Sequence, residues 1–251
     1  VASNLLTDIK TEVWRSTGTT ADLTLTWTSP EFVSMVSVCF TNTTSIGTIR
    51  VRGYTNPGDS TALFDTGAQF ATPSTLDSNF DWGGTSLGSN GYSYGGAGSY
   101  ATIWFATASV QKLVITLADP TNTAGFLQAS RIVSGYYWSP ENNCDYGPEI
   151  TYGDMSRHER SDAGDLRTDR GPRYKVLTVD VNMMPKADRN KMWRLFGANG
   201  MSFPLFFSLV PEDTDTMEEQ IYQLYGKISK LNALKYQFIN QFNTKLEIEE
   251  I

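Results

Sequence analysis

Apolar and polar positions alternate through much of the first half of this chain. Leu23, Leu25 and Trp27 alternate with Thr24, Thr26 and Thr28, the period of a strand with one buried face. Ile49 and Val51 alternate with Arg50 and Arg52, and Leu113, Ile115 and Leu117 form a third such face. Phe32 to Phe40 is nearly continuous in apolar residues and predicts a strand covered on both sides. No amphipathic helix pattern interrupts this half, so short strands between turn-forming residues predict an antiparallel, jelly-roll-like sandwich.

The pattern changes in the stretch 127–152. Ile132–Val133 and the aromatics Tyr136, Tyr137 and Trp138 read as the last strand of the first unit. Pro140 then breaks the ladder and biases Ser139 to an extended conformation. Beyond it, Tyr174 to Val181 predicts a strand, and Pro185 opens a helix whose Met192, Leu195 and Phe196 share one face, with Gly197 at its C-terminal cap. Phe203 to Val210 predicts a second strand, ended by Pro211, and Met217, Ile221 and Leu224 a short helical segment or turn. Near the C-terminus Phe238, Phe242, Leu246 and Ile248 share one parity, against Gln241, Asn243, Lys245, Glu247 and Glu249 on the other. That predicts a strand of about eleven residues, longer than the usual five or six. Such a strand exposes edges and a face unless a neighbour covers them, so these four apolar residues are candidates for oligomerisation.

Charge places a boundary in the same region. Up to Asn143 there are 6 basic and 10 acidic residues; of the 20 and 27 in the whole chain, 14 and 17 remain for the rest. Residues 1–143 and 144–251 are therefore read as two domains: mainly β, a jelly-roll β-sandwich followed by a β-rich domain with one or two short helices. The net charge of −7 divides as −4 and −3, which argues against nucleic-acid binding through a broad cationic surface. No apolar run approaches the ~20 residues needed to span a bilayer. The opening VASNLLTDIK lacks a signal-peptide pattern, so folding in the cytosol is the default expectation. Two cysteines, Cys39 and Cys144, are too few for a disulfide scaffold or a zinc site; they are read as free, with a single bridge as the alternative.

Gly83 to Tyr100 carries seven glycines in eighteen residues without the Gly-Lys-Ser/Thr ending of a P-loop. It is either a long mobile loop, alone or with a hairpin, or a sugar-binding loop. In the latter reading Trp82, Tyr92, Tyr94 and Tyr100 stack on a saccharide, and Asp81 or Asn90 accepts hydroxyl hydrogen bonds. Asp154 to Arg173 is rich in arginine (Arg157, Arg160, Arg167, Arg170, Arg173). Interspersed Asp154, Glu159, Asp162, Asp165 and Asp169 cancel much of the field, which favours a solvated loop or a subunit contact over a phosphate patch. The single histidine, His158, begins an HExxH-like run, but Asp162 stands where the second histidine belongs. No GxSxG elbow and no Cys/His ligand cluster occurs. The expectation is a protein that is not an enzyme and has no metal or other cofactor.

A resemblance adds a setting. Trp14 in the opening segment, Arg50 or Arg52 in a middle strand, and Arg131–Ile132 with Gly135–Tyr136 at the close resemble the galactose-binding-like (discoidin-type) sandwich, as found in bacteriophage tail and baseplate proteins. Many members of that fold bind sugars. Some hold calcium, for which this sequence offers no clustered acidic run. The second half resembles the terminal domain of phage tail-tip proteins in its order: Tyr146–Gly147–Pro148, a charged loop, Pro172–Arg173 with a strand, a helix bearing MWRLF, PLFFSLVPE, YGKIS, and LEIEE. Distal tail proteins usually carry the ring-forming domain first, so the order here is reversed. The resemblance implies a virion structural protein, made in the host cytoplasm, that forms a trimeric or hexameric ring around the tail axis. Its implied partners are tail-tube and baseplate-hub proteins and a host-surface glycan, with no sequence-specific nucleic acid. The alternatives are a carbohydrate-binding module without an assembly role and, further off, a glycan-active enzyme.

Overall fold

A computed structural model describes residues 1–72, 99–211 and 216–251. The protein is mainly β, with antiparallel sheets and, among the described residues, two α-helices, and it divides into two compact units. Among the described residues, one comprises 1–72, 99–138, 210–211 and 216–223; the other comprises 139–209 and 224–251.

In the first unit the strands are β1 (Trp14–Arg15), β2 (Thr20–Thr41), β3 (Thr48–Tyr54), β4 (Phe64–Asp65), β5 (Gln69–Phe70), β6 (Ser99–Ala118), β7 (Gln128–Ala129) and β8 (Arg131–Gly135). Their main sheet runs β4-β3-β6-β2-β8, with β5 also on β3, and β1 pairs with β7. The long strands β2 and β6 organise it. Thr20–Thr26 pairs with Lys112–Ala118, and Glu31–Thr41 with Ser99–Val110, with a break in register between Thr26 and Glu31. Such irregularities bend a strand and increase its twist. Leu23, Ile115 and Leu117 from one side of that break join Val33, Val36, Val38 and Ile103 from the other in a single core, so the ladder folds over on itself as a sandwich. Val33 to Thr41 is buried at every position, as its apolar run predicts, while Phe32 is exposed. Where β3 meets the edge, the ring of Phe64 lies over Gly53: a Cβ there would stand 2.1 Å from Phe64 Cε1. Buried Asp119 fixes a loop by accepting hydrogen bonds from Thr44 N–H (2.7 Å) and Thr44 Oγ1 (2.8 Å).

The second unit holds β9 (Glu149–Asp154), β10 (Arg157–Arg160), β11 (Leu166–Asp169), β12 (Arg173–Met184), helix α1 (Lys186–Asn199), β13 (Leu205–Ser208), most of β14 (Gln223–Lys230), β15 (Lys235–Phe238) and β16 (Gln241–Glu250). Its sheet runs β13-β14-β16-β12-β9, with β15 paired to β16; β10 and β11 form a separate hairpin. Helix α1 begins after Pro185, as expected, and buries Met192 and Phe196. It ends later than the sequence pattern implies. Gly197 lies inside the last turn, and Gly200, at φ 53°, takes the cap and donates its N–H to Phe196 O. Only a residue at ease with positive φ fits there.

Helix α2 (Thr216–Ile221) belongs to the first unit. Neither cysteine forms a disulfide; Cys39 is buried and Cys144 half-buried. Burial and the neighbouring Asp145 push the Cys144 thiol pKa up.

Candidate functional site

Of the residues proposed above for sugar stacking, Asp81, Trp82, Asn90, Tyr92 and Tyr94 lie outside the described residues. Tyr100 has a different role from the one its place in the glycine-rich stretch implies. It lies in β6, 1 % exposed, with its ring tilted against Phe40 at 5.4 Å between centroids. A ring so enclosed presents no face to a saccharide. Tyr100, Thr102 and Trp104 share one face of β6, opposite Cys39, Ser37 and Met35 of β2, while Ala101 and Ile103 on the other face join the sandwich core.

That face is bound by a polar chain to α2 and Gln223. The Gln220 side chain accepts the Tyr100 N–H through Oε1 (3.0 Å) and donates through Nε2 to the Tyr100 carbonyl (2.8 Å). Both main-chain groups of Tyr100 therefore point away from β2, so Tyr100–Cys39 is a non-hydrogen-bonded pair, the kind that brings opposed side chains closest. Two residues on, in the same phase, Ser37 Oγ and Thr102 Oγ1 lie 2.9 Å apart. Thr102 Oγ1 donates to Gln223 Oε1 (2.9 Å), Gln223 Nε2 to Gln220 Oε1 (3.1 Å), and Trp104 Nε1 to Glu219 Oε1 (2.6 Å). A carboxamide that reproduces the hydrogen bonds of a neighbouring strand covers a sheet edge that would otherwise attract another chain.

Beside this clasp lies an aromatic surface that periodicity alone could not locate. Trp104 meets Tyr137 edge-on at 5.3 Å, and Tyr137 stacks with Tyr136 at 6.2 Å and 12°. Tyr136 is 67 % and Tyr137 44 % exposed. The Tyr137 N–H donates to Ser34 Oγ (3.2 Å), which fixes the strand end that carries both rings. Amphipathic rings of this kind, with the Glu219 carboxylate near by, bind flat ligands with polar rims.

In the second unit the C-terminal strand corrects the assembly reading in part. Phe242, Leu246 and Ile248 are buried within the chain, opposite Met184, Val179 and Leu177 of β12. They form this unit's own core and are not free to bind another subunit. Phe238 lies on β15, one side of a tight turn whose Asn240 has φ 59°, and it is 58 % exposed. Shared parity had joined two strands of a hairpin into one.

The charged stretch forms an arm. β10 and β11 pair from Arg157–Asp169 to Arg160–Leu166, and all eight strand residues are exposed. At the arm's base Ser156 donates its N–H to Asp154 (2.8 Å) and Arg173 donates through Nε (3.1 Å); Ser156 first, and Arg173 after it, hold the Asp154 carboxyl below the usual range. His158 bonds through Nδ1 to Thr168 Oγ1 across the hairpin (3.0 Å). His158 lies on β10 and Asp162 in the turn after it, so the run has no helix face on which an HExxH pair would converge. Among the described residues no group of three or more His, Cys, Asp and Glu side chains is placed to hold a metal ion, and no helix is long and apolar enough to cross a membrane.

No protein-family model matches the chain, and no curated protein matches it. Among solved structures, the chain resembles CBM32-1 from a family 31 glycoside hydrolase of Clostridium perfringens, at 9% sequence identity and a TM-score of 0.34, over 54% of this chain and 84% of that one. A TM-score of that size does not define a shared fold. The class fixed by the structure is a mainly antiparallel β protein: a sandwich unit, and a second unit built on a six-stranded sheet with one helix.

Proposed function

We propose that this protein is a structural, non-catalytic subunit of a bacteriophage tail tip or baseplate. Copies assemble as a ring around the tail axis through the second unit, and the sandwich serves as an outer domain for neighbouring tail proteins or host glycans. The observation that carries the assembly reading is the arm at 157–169. Two strands with every residue exposed have no core of their own, and an isolated hairpin is marginally stable at best in water. A second surface completes such an element. The bacteriophage setting rests on the motif order of the sequence.

Light scattering and negative-stain imaging of the purified chain, alone and with a tail-tube protein, test this. Rings or capped tubes are expected, and they disappear when residues 157–169 are replaced by a short Gly-Ser linker. A wild-type chain that stays monomeric and ignores tubes would sink the assembly reading.

The exposed pair Tyr136–Tyr137 beside Trp104 favours a second reading, glycan recognition by the first unit. Retention on a glycan array that Tyr137→Ala abolishes supports it. Equal retention by the variant rejects this surface.

A further inference from the structure

One face of the arm carries an ordered set of charges. In the β10–β11 register Arg157 stands opposite Asp169 and Glu159 opposite Arg167. Directly opposed residues share a face, as do residues two apart, so these four side chains form a square with alternating signs. His158, Arg160, Leu166 and Thr168 take the other face. All four members of the square are exposed. None of the ion pairs Arg50–Asp65, Arg52–Asp22, Arg131–Asp8, Arg173–Asp154 and Lys191–Asp188 draws on the square.

A square of alternating signs is its own complement. Let a second copy be laid face to face on it by a two-fold rotation about an axis parallel to the strands. Each residue then meets the one opposite it in its own row, Arg157 against the Asp169 of the second copy and Glu159 against its Arg167. About an axis across the strands, Arg157 meets the second copy's Glu159 and Arg167 meets its Asp169. Either rotation brings four opposite-sign contacts together, as required of an isologous interface, in which one patch serves both subunits. The square has no net charge, so it offers no long-range attraction to a polyanion. A surface of one sign would match it at only two corners.

We propose that Arg157, Glu159, Arg167 and Asp169 are a self-recognition surface, through which the arm of one copy docks face to face on the arm of a second copy. This rests on the assembly reading above and supplies a pairwise contact within it; closing a ring takes a second, head-to-tail contact.

The test uses the full chain and two double variants. Glu159→Arg with Asp169→Arg makes the square all positive, and Arg157→Glu with Arg167→Glu makes it all negative. Sedimentation velocity is run in ~0.01 M salt, where the Debye length is about 30 Å, and in ~1 M salt, where it is about 3 Å. Wild type is expected to self-associate at low salt and at least about tenfold more weakly at high salt. Each variant alone is expected to lose that association, and an equimolar mixture of the two to regain it. Far-UV circular dichroism confirms that both variants stay folded, as exposed positions allow. Variants that associate as wild type does would overturn the docking surface while leaving assembly standing, as would a mixture that fails to recover. A wild type that is monomeric under every condition overturns both.

Discussion

Gln220 is 2 % exposed, and its carboxamide meets both main-chain groups of Tyr100, so it is the residue whose removal has the sharpest consequence. Gln220→Ala leaves a buried N–H and a buried carbonyl unmatched, each worth about 1–3 kcal/mol. The expected result is a lower urea midpoint at unchanged m-value. Gln220→Glu separates hydrogen bonding from packing. A carboxylate still accepts the Tyr100 N–H but faces the carbonyl without a proton, so burial and that carbonyl raise its folded pKa above the ordinary ~4.3. The stability it restores is full below about pH 4 and is lost as pH rises through the folded value. Denaturant midpoints of the variant should therefore recover toward wild type on acidification; a midpoint gap independent of pH would show that the hydrogen bonds are not the cause. Asp65 has the opposite sign. The guanidinium of Arg50 (Nε to Oδ1, 2.8 Å) and the Gly67 N–H hold its carboxyl well below the usual carboxylate range. Its contribution is present above about pH 4 and fades as pH falls further. Both partners are largely exposed, so Asp65→Asn should cost little at neutral pH and nothing in strong acid, read from paired denaturation curves.

At the level of elements, the sequence disclosed strands far better than it disclosed what lies between them. The alternation at Leu23–Trp27, Ile49–Arg52 and Leu113–Leu117 gave strands, because burial on one face imposes a period of two. The continuous run from Val33 gave a strand buried on both faces. Pro185 marked the start of α1 correctly, since its fixed φ suits that position. The C-terminal hairpin was hidden for a physical reason. Its turn at Ile239–Asn240 is two residues long and sets Phe238 opposite Gln241, so Phe238 and Phe242, though four apart in sequence, point to opposite faces. Their environments differ accordingly. Phe242 is 9 % exposed, with Tyr236 at 5.0 Å and the Arg189 guanidinium over its ring at 4.6 Å, whereas Phe238 faces outward. Phe242→Ala should cost about 3–5 kcal/mol and Phe238→Ala less than ~0.5. Thermal unfolding of the two variants would decide, and equal losses would contradict this division into core and surface. The arm was legible only as charge. Its hairpin pairing has no apolar alternation, because none of its eight strand residues is buried against the other described residues.

For the whole molecule, order along the chain and order in space part company at one place. The first unit's strands are complete in sequence by Gly135, yet residues 210–223 belong to that unit, and only there are Glu219, Gln220 and Gln223 found. No periodicity announces this, because the attachment is made by three polar side chains, two of them amides, and not by an apolar stripe. The clasp has a consequence for synthesis. From Ser139 through Gln223 the chain adds 85 residues, which a ribosome adding about 5–20 residues per second needs roughly 4–17 s to make. Through that interval the sandwich strands are already out while Tyr100 lacks its partner. Nascent chains arrested after residue 200 should be cleaved by protease near Ser99–Trp104 faster than released full-length chains; equal rates would show that the clasp adds no protection. The first unit to be translated is thus among the last to be finished, and on a crowded polysome its open edge faces the same open edge on every neighbouring chain.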